Sequence, residues 1–396
     1  MRRFALRVVT LAILLIVLAA GAVGTLLAIM WHEHTSPVRL PSPTGSFAPG
    51  RAQYAWINPK TNEELAVWIW YPARPSSTAR PAEYLPAPWR TALRERQGAF
   101  LRSFFKRDPL AVGTHSESNA AIAPDRRAYP VVVLRPGGSA LTADFTSIAE
   151  DLSSHGYIVA GFDAPSRSLV VVTSDGRSIG RAPGNSVENA NGDLSDPVVA
   201  RLLAMWTSDT RFVVDQLERV NDGSIATPFA GRMDLARLAM AGHSFGGATA
   251  LQFCHEDGRC RAAIDMDGIP FGSVVADGLD KPAMFLLSDH SREMADPASQ
   301  QVVRQIQSVY DRLPPPRLHA TIRTANHFTF SDQSLLNSPT ALALLRLTGF
   351  GGLDPRRGLA MSADFVRTFF DVTLNGASPA TLTQVSERYP EVVISR

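Results

Sequence analysis

The chain has 396 residues, of which 45% are hydrophobic and 19% are charged. This composition is typical of a globular protein with a large core and argues against a disordered or coiled-coil chain. The 39 basic and 37 acidic residues leave a formal net charge of +2, which provides no overall field to attract nucleic acid. We therefore expect no nucleic-acid partner, and any partner must be recognised at a local site.

An apolar segment without charged residues runs from Val8 to Met30, preceded by Arg2, Arg3 and Arg7. As a helix rising about 1.5 Å per residue, it is long enough to cross a bilayer. The positive-inside rule then places the rest of the chain outside the cytoplasm. A cleaved signal peptide, and hence secretion, is the alternative. We expect residues 1–34 to form an uncleaved anchor, because the apolar run continues past the small residues at 20–22.

Residues 35–50 are rich in proline, serine and glycine, which predicts an extended linker between the anchor and the rest of the chain. No internal repeat and no second change of composition follow. We therefore expect residues 51–396 to form one domain.

The two cysteines, Cys254 and Cys260, lie close together in the sequence. Outside the cytoplasm they could form a local disulfide. Spacing alone does not establish the required distance between their Cα atoms, so two buried thiols are an equally open alternative.

Short runs rich in apolar and β-branched residues alternate with helical segments along the predicted domain. Such runs are typical of parallel strands covered on both faces, so the sequence predicts an α/β fold with a doubly wound, mostly parallel sheet. Asp196-Pro197 has the residues expected at the start of a long helix. Two long segments, 73–128 and 164–196, do not fit the alternation and are candidate walls and lids of a pocket. The predicted strands lie at residues 66–71, 130–134, 157–162, 238–241, 262–266, 283–287 and 318–322.

The strongest motif is Gly242-His243-Ser244-Phe245-Gly246, which follows an apolar strand and precedes a helix-forming run. This is the G-x-S-x-G nucleophile elbow of the α/β-hydrolase fold, in the strand-turn-helix context that it requires. The sharp turn needs small residues on either side and presents the serine at the start of a helix, whose dipole favours developing negative charge. Ser244 is therefore the candidate nucleophile.

A serine hydroxyl needs a base to take its proton, and in this fold the base follows the nucleophile and the acid in the chain. His255 is too close to the elbow helix, and His319 lies within a predicted strand. His290 is a further downstream histidine. His327 lies in a loop after the final predicted strand and is the candidate base.

The residues themselves leave two candidates for the acid that orients this histidine. Asp267 follows one predicted strand, and Asp289 follows the next strand along the chain. The end of either strand could reach the histidine.

Hydrolysis through a tetrahedral intermediate also needs preorganised donors for the oxyanion. In this fold they are the backbone N–H of the residue after the nucleophile and one from an early strand-to-helix loop. The candidates are Phe245 and, in the segment Arg135-Pro136-Gly137-Gly138, the backbone of Gly138.

These segments together resemble the platelet-activating factor acetylhydrolase family over most of the predicted domain, from about Ala66 to Leu374. The resemblance is carried by three segments: VWIWYP at 67–72, DLSSHGYIVA at 151–160 and GHSFGGAT at 242–249. It implies a Ser-Asp-His triad whose acid follows the strand after the elbow helix, which favours Asp267 over Asp289. One departure is Pro136-Gly137, where the family usually has His-Gly.

The resemblance implies hydrolysis of short or oxidised acyl chains of phospholipids, without a metal or cofactor. Because the elbow is shared with lipases and cutinase-like polyesterases, a broad carboxylesterase or polyesterase is the alternative. A non-catalytic lipid-binding protein on a hydrolase scaffold is an alternative of another class. The expected partners are an ester or phospholipid substrate and a membrane surface, which the chain meets through its N-terminal anchor.

One stretch mixes aromatic and basic side chains in a way that suits a helix lying at a membrane interface. An ordinary helix that packs its aromatic residues on the domain is the alternative. The apolar residues of the stretch are Trp89, Leu93, Phe100, Leu101, Phe104 and Phe105.

Overall fold

The structure is a computed structural model that describes residues 2–75, 80–98, 102, 104–190, 196–289, 297–347 and 352–395. The helices are α1 (Arg2–Thr35), α2 (Ala87–Gln97), α3 (Thr146–Ser154), α4 (Pro197–Asn221), α5 (Phe245–Glu256), α6 (Ser273–Asp277), α7 (Pro297–Tyr310), α8 (Gln333–Leu336), α9 (Pro339–Leu347), α10 (Pro355–Leu374) and α11 (Ala380–Glu387). The strands are β1 (Val38–Arg39), β2 (Ala48–Asn58), β3 (Glu63–Ala73), β4 (Val112–Gly113), β5 (Glu117–Ser118), β6 (Tyr129–Arg135), β7 (Ile158–Asp163), β8 (Val170–Val172), β9 (Ser178–Gly180), β10 (Met233–His243), β11 (Cys260–Met266), β12 (Ala283–Leu287), β13 (Leu318–Ile322) and β14 (Val392–Ser395).

Within the described residues, ten strands form one sheet in the order β14-β13-β12-β11-β10-β6-β7-β3-β2-β5. Each neighbouring pair from β7 to β13 in this order is parallel, whereas β14, β3 and β2 pair antiparallel near the edges. The mostly parallel sheet confirms the predicted α/β class. Because β10, β11, β12 and β13 are parallel neighbours, the loops at their carboxyl ends meet at one edge, where ligands bind in such folds.

Apolar side chains of the sheet alternate between two cores because successive side chains of a strand point to opposite faces. In β6, Val132 and Leu134 belong to a cluster that includes residues of α3 and α10. Val131 and Val133 belong to a second cluster that includes residues of α4 and α5. Helices therefore cover both faces, which explains why the central strands are almost wholly apolar.

Helix α4 begins where the sequence predicts it. The Asp196 side chain accepts a hydrogen bond of 2.8 Å from the Val198 N–H, and Pro197 occupies the first turn. This cap satisfies a donor that the first helical turn leaves unpaired. The helix buries Leu202, Trp206 and Leu217 against the domain.

In the N-terminal helix α1, the part Leu6–Thr35 includes a stretch of 18 residues with a mean hydropathy of 2.7. Its length and composition suit a membrane span, and a signal sequence has the same properties. Its last turn contacts the domain, because the Glu33 carboxylate accepts hydrogen bonds from Thr340 N–H (3.1 Å) and Thr340 Oγ1 (2.7 Å) at the start of α9. The Arg107 guanidinium donates to the Glu33 carbonyl oxygen at 3.0 Å.

Residues 35–50 are not the extended spacer that their composition predicts. Strand β1 pairs with β4, and the side chain of Leu40 is only 2% exposed. Thr44 donates from its N–H and its hydroxyl to Asp151 Oδ1, at 2.9 and 2.8 Å. This correction has a plain cause: the segment carries apolar side chains that can be buried, and its polar groups find acceptors on α3. The division into anchor, linker and domain otherwise stays a prediction.

The aromatic and basic stretch divides into two parts. Trp89 and Leu93 of α2 are 6% and 5% exposed, and the Trp89 ring packs edge-on against Trp68 with centroids 5.4 Å apart. An interfacial role is therefore wrong for these two residues, which belong to the core. Phe105 is 50% exposed. Phe100 and Leu101 lie outside the described residues.

The two cysteines are joined by a disulfide, with Cα atoms 5.0 Å apart. Cys254 lies near the end of α5, and Cys260 begins β11. The bridge therefore closes the short connection between the helix that follows the elbow and the next strand of the sheet.

Candidate active site

The elbow joins β10 to α5 at the centre of the sheet. Ser244 has φ 58° and ψ −128°, a conformation that a residue with a side chain rarely adopts. Its N–H donates to the Met266 carbonyl oxygen at 2.9 Å, and its own carbonyl accepts from Gly247 N–H at 2.9 Å. The strained residue is thus held from both sides by backbone hydrogen bonds.

The glycines of the elbow are required by close backbone contacts. A Cβ atom on Gly242 would lie 2.0 Å from the Gly246 carbonyl oxygen, and one on Gly246 would lie 2.2 Å from the Arg135 carbonyl oxygen. Either substitution would force the backbone apart. The G-x-S-x-G spacing therefore reflects the packing of β10, α5 and the end of β6 around the serine.

His327 and Asp267 lie together at the carboxyl edge of the sheet. His327 Nδ1–H donates to Asp267 Oδ2 at 2.8 Å. The Asp267 side chain is fully buried, whereas the His327 side chain is 38% exposed. With the Nδ1 proton committed to the carboxylate, Nε2 is the acceptor nitrogen of the ring. Such a ring can take a proton from a neighbouring hydroxyl.

Ser288, which sequence reasoning did not select, completes the surroundings of Asp267. Its N–H donates to Asp267 Oδ1 at 2.7 Å, and its hydroxyl donates to Oδ2 at 2.9 Å. Both carboxylate oxygens therefore accept hydrogen bonds from one residue at the end of β12. A serine directly after a predicted strand end is a weak signal by itself, so only the structure reveals this role.

Asp289, the alternative acid, lies elsewhere in the same loop region. Its Oδ2 accepts a hydrogen bond from Thr324 N–H at 3.2 Å, in the loop that leads to His327. Its own N–H donates to the Ala325 carbonyl oxygen at 3.4 Å. Asp289 thus contacts the backbone of the histidine loop, whereas Asp267 accepts the hydrogen bond from the His327 ring.

Two other downstream histidines that the structure describes, His255 and His319, lie away from this cluster. His255 Nε2 is 3.5 Å from Asp277 Oδ2, near the end of α5. His319 lies within β13 and packs against Tyr310, with ring centroids 5.3 Å apart. His290 lies outside the described residues.

His243, which immediately precedes the serine, is a second residue that the sequence did not single out. Its Nε2–H donates to the His327 carbonyl oxygen at 2.7 Å, and the two rings are 4.5 Å apart. The ring also packs near Phe145 and Phe330. Burial, together with the nearby His327, lowers the pKa of His243 to about 3, so the ring is neutral at physiological pH. This contact connects the elbow to the loop of the candidate base.

The candidate oxyanion loop follows β6 and faces the serine. A Cβ atom on Gly137 would lie 2.8 Å from Ser244 Cβ and 3.3 Å from Ser244 Oγ. Gly137 is therefore the loop residue against the nucleophile, and Gly138 follows it. The backbone approaches the serine closely only because Gly137 has no side chain. Phe245 is the first residue of α5, where N–H groups have no partner within the helix.

The buried side chain of Arg135 lies at the end of β6, where this loop begins. The Arg135 guanidinium lies 3.9 Å from the centre of the Trp206 ring and donates to the Phe162 carbonyl oxygen at 3.0 Å. Burial lowers the pKa of Arg135 to about 10. Trp206 packs edge-on against Phe245, with centroids 5.1 Å apart. Arg135, Trp206 and Phe245 thus form one series of contacts, which joins the strand before the glycine loop to the first residue of α5.

A second buried carboxyl lies beside the elbow. Asp265 Oδ1 accepts from Gly268 N–H at 2.8 Å, and burial and then the neighbouring Asp267 raise the pKa of Asp265 well above its usual range. This environment therefore favours the neutral form of the Asp265 carboxyl. Among the described residues, no group of three or more His, Cys, Asp or Glu side chains is arranged to hold a metal ion.

Comparisons with known proteins find similarity to esterases. Residues 214–375 match the family model of platelet-activating factor acetylhydrolase, isoform II. A probable 1-alkyl-2-acetylglycerophosphocholine esterase of Arthroderma benhamiae is 28% identical over 286 residues, which cover 68% of this chain and 67% of that protein. Platelet-activating factor acetylhydrolase of Cavia porcellus is 23% identical, over 54% of this chain and about half, 52%, of its own length.

The fold is also similar to a solved structure, a ferulic acid esterase from Streptomyces cinnamoneus. The two share 26% sequence identity with a TM-score of 0.73, and the match covers 91% of this chain and 100% of the other. The comparisons therefore support a carboxylic ester hydrolase. They confirm the predicted resemblance to the platelet-activating factor acetylhydrolases.

Proposed function

We propose that this protein is a serine ester hydrolase in which Ser244 is the nucleophile, His327 the general base and Asp267 the orienting acid. The observation that carries the proposal is the 2.8 Å hydrogen bond from His327 Nδ1–H to the buried Asp267, next to a strained serine in a nucleophile elbow. The three residues follow the Ser, acid, His order of the fold.

In the first half of the reaction, His327 Nε2 takes the proton of the Ser244 hydroxyl as Oγ attacks the ester carbonyl carbon. The carbonyl oxygen becomes an oxyanion, which the backbone N–H groups of Phe245 and Gly138 would stabilise. The intermediate collapses, His327 returns the proton to the departing alkoxide, and the acyl group stays on Ser244. Asp267 stabilises the imidazolium that forms on His327.

In the second half, water takes the place of the alcohol. His327 removes a proton from water, the hydroxide attacks the acyl carbon, and a second oxyanion forms at the same donors. Cleavage of the acyl bond to Oγ releases the carboxylic acid, and the proton returns to Ser244. No redox step or metal-bound intermediate is required.

We favour short or oxidised acyl chains of phospholipids as the substrates. Support comes from the relatives, which are a probable 1-alkyl-2-acetylglycerophosphocholine esterase and a platelet-activating factor acetylhydrolase. A broad carboxylesterase or polyesterase is a second candidate, which the similarity to a ferulic acid esterase over 91% of the chain favours. A hydrolysis profile of acyl length across phospholipids and simple esters tests this choice. Activity confined to simple or polymeric esters would overturn the phospholipid proposal.

Covalent labelling separates an enzyme from a lipid-binding protein on a hydrolase scaffold. We expect a fluorophosphonate to label the wild-type protein at Ser244 and to leave Ser244→Ala unlabelled. A folded wild-type protein that is neither labelled nor active on any ester would favour the non-catalytic function. Labelling at another serine would remove Ser244 from its proposed role.

We also propose that α1 anchors the protein in a membrane, with the N-terminus in the cytoplasm and the ester hydrolase domain outside it. The apolar part of Leu6–Thr35 and the arginines that precede this part, Arg2, Arg3 and Arg7, support this orientation. The hydrogen bonds between Glu33 and Thr340 further suggest that the anchor is fixed to the domain at α9. N-terminal sequencing of the mature protein distinguishes the anchor from a cleaved signal. A mature chain beginning after residue 22 would contradict anchoring and favour secretion.

A further inference from the structure

A cationic side chain, that of Arg181, lies beside the candidate oxyanion loop that also contacts Ser244. Arg181 directly follows β9, in the long segment that the sequence marks as a candidate wall of the pocket. A Cβ atom on Gly138 would lie 2.9 Å from Arg181 Nη1, while one on the neighbouring Gly137 would lie 3.3 Å from Ser244 Oγ. Since consecutive Cα atoms are about 3.8 Å apart, the guanidinium and the nucleophile lie beside the same pair of glycines.

Hydrogen bonds fix the backbone at Arg181, whereas its guanidinium group takes part in a weak ion pair. Its N–H donates to the Leu169 carbonyl oxygen at 3.5 Å, and Ala182 N–H donates to the Ser166 carbonyl oxygen at 3.0 Å. The Arg181 guanidinium pairs with Glu188, whose Oε2 lies 3.6 Å from Nη1. The Glu188 side chain is 63% exposed and the Arg181 side chain 25% exposed. Because the Glu188 carboxylate is largely exposed and lies 3.6 Å away, the ion pair is weak, and an anionic group of a substrate can compete with Glu188.

We propose that Arg181 binds the phosphate group of a glycerophospholipid whose ester is held at Ser244. A guanidinium presents a planar set of N–H donors that matches phosphate oxygens. In a glycerophospholipid, the ester at the middle carbon and the phosphate are separated only by part of the glycerol unit. A cation near the serine, beside two residues without side chains, is therefore placed to take the phosphate while the ester meets the nucleophile. This inference rests on the proposed function and names the chemical feature of the substrate that the site selects.

The inference predicts discrimination between two substrates that share one ester. A 1-alkyl-2-acetylglycerophosphocholine carries the phosphate, and the corresponding 1-alkyl-2-acetylglycerol does not. We expect Arg181→Gln to raise KM for the phospholipid about tenfold to a hundredfold, because a hydrogen-bonded charge is lost. KM for the neutral ester should stay within about twofold. Arg181→Lys, which keeps the charge but not the planar donors, should retain part of the preference.

Arg177 provides a matched control on the same hairpin. Its guanidinium pairs with Asp175 at 2.6 Å, and its side chain is 69% exposed. Arg177→Gln removes the same charge four residues away and should leave KM for both substrates unchanged. Both variants should be assayed below the critical micelle concentration of the lipids, so that surface binding does not enter KM.

The outcomes separate this inference from the proposed function. If Arg181→Gln leaves both KM values unchanged, or weakens both substrates equally, phosphate binding at Arg181 is wrong, although the enzyme remains an esterase. An equal effect of Arg177→Gln would also overturn it, because a general surface charge would then explain the preference. If the wild-type protein hydrolyses neither substrate and no fluorophosphonate reacts with Ser244, the proposed function itself fails.

Discussion

The carboxyl ends of β11 and β12 are neighbours in the sheet, and an aspartate follows each of them, yet the two carboxylates have different surroundings. Asp267 comes directly after β11 in a left-handed conformation, with φ 56°. Its side chain is buried and accepts hydrogen bonds from Ser288 and His327. Asp289 lies two residues beyond β12 and accepts from the backbone of Thr324.

The difference shows how a turn, rather than a residue type, decides which carboxylate meets the histidine. The left-handed residue at the end of β11 turns the chain at once and brings its carboxylate to the histidine. The loop after β12 then supplies donors to that carboxylate through Ser288, and the following Asp289 contacts the backbone of the histidine loop. The end of β11 thus provides the carboxylate, and the end of β12 provides hydrogen bonds to it through Ser288.

The largest effect is expected for Ser244→Ala, which sets the floor against which the two aspartates are measured. Loss of the nucleophile should lower kcat by about six orders of magnitude. Thermal unfolding should show that the variant remains folded, because a single hydroxyl is lost. Appreciable remaining turnover in a preparation free of wild-type enzyme would remove Ser244 from the reaction.

Exchange of each aspartate for asparagine tests the comparison directly. Asp267→Asn should lower kcat about 10⁴-fold, because an amide can neither stabilise the imidazolium nor fix the same tautomer. Asp289→Asn is the matched control, and its effect should stay below about tenfold, since Asp267 and not Asp289 bonds to the His327 ring. Steady-state kinetics on a soluble nitrophenyl ester measures both. The reverse order would transfer the acid to the end of β12.

His243→Phe tests the support of the histidine loop from the side of the elbow. It keeps a ring beside Phe145 and Phe330 but removes the donor to the His327 carbonyl oxygen, so kcat should fall about tenfold. KM should change little, because the ring does not contact the substrate in the proposed mechanism. An unchanged kcat would mean that the loop holds His327 without this hydrogen bond.

The same variant should alter how stability depends on pH. In the folded protein the pKa of His243 is lowered to about 3, chiefly by burial, below its value of about 6.5 in an unfolded chain. The folded state therefore favours the neutral ring, and the stability that this group contributes is present above pH ~6.5 and is lost as the pH falls towards ~3. His243→Phe should flatten the acid side of the unfolding free energy, measured by urea denaturation. An unchanged slope would contradict the assignment.

The smallest effect is expected for Ser288→Ala, which removes one of the two hydrogen bonds from Ser288 to Asp267 and keeps the backbone donor. Because the backbone donor stays, the loss should correspond to a weak net hydrogen bond, a fall in kcat of about twofold to fivefold. The pH at which kcat/KM reaches half its maximum should also shift, because the carboxylate holds His327 less well. If Ser288→Ala exceeded Asp267→Asn in effect, the support rather than the charge would dominate at this strand end.

Much of the fold could be predicted because its signals are local. The seven predicted strands lie within or overlap β3, β6, β7, β10, β11, β12 and β13, and the cap at Asp196 begins α4 as expected. Apolar runs report burial on both faces, and a capping side chain acts within two residues. Predictions failed where distant contacts decide. In the sequence, Trp89 lies among aromatic and basic residues that are typical of an interfacial helix. In the structure, its ring packs against Trp68 in the core.

The sequence by itself determined the elbow, its serine and the histidine at the end of the last parallel strand, because close backbone packing requires the spacing of glycines around Ser244. The tertiary structure alone brought Asp267, Ser288 and His243 around His327, and Arg181 beside the glycine loop. These residues lie on separate strands and loops, and their distances depend on the register of the sheet. The role of a charged group or a hydrogen-bond donor depends on the groups that it contacts, and these contacts form only in the folded chain.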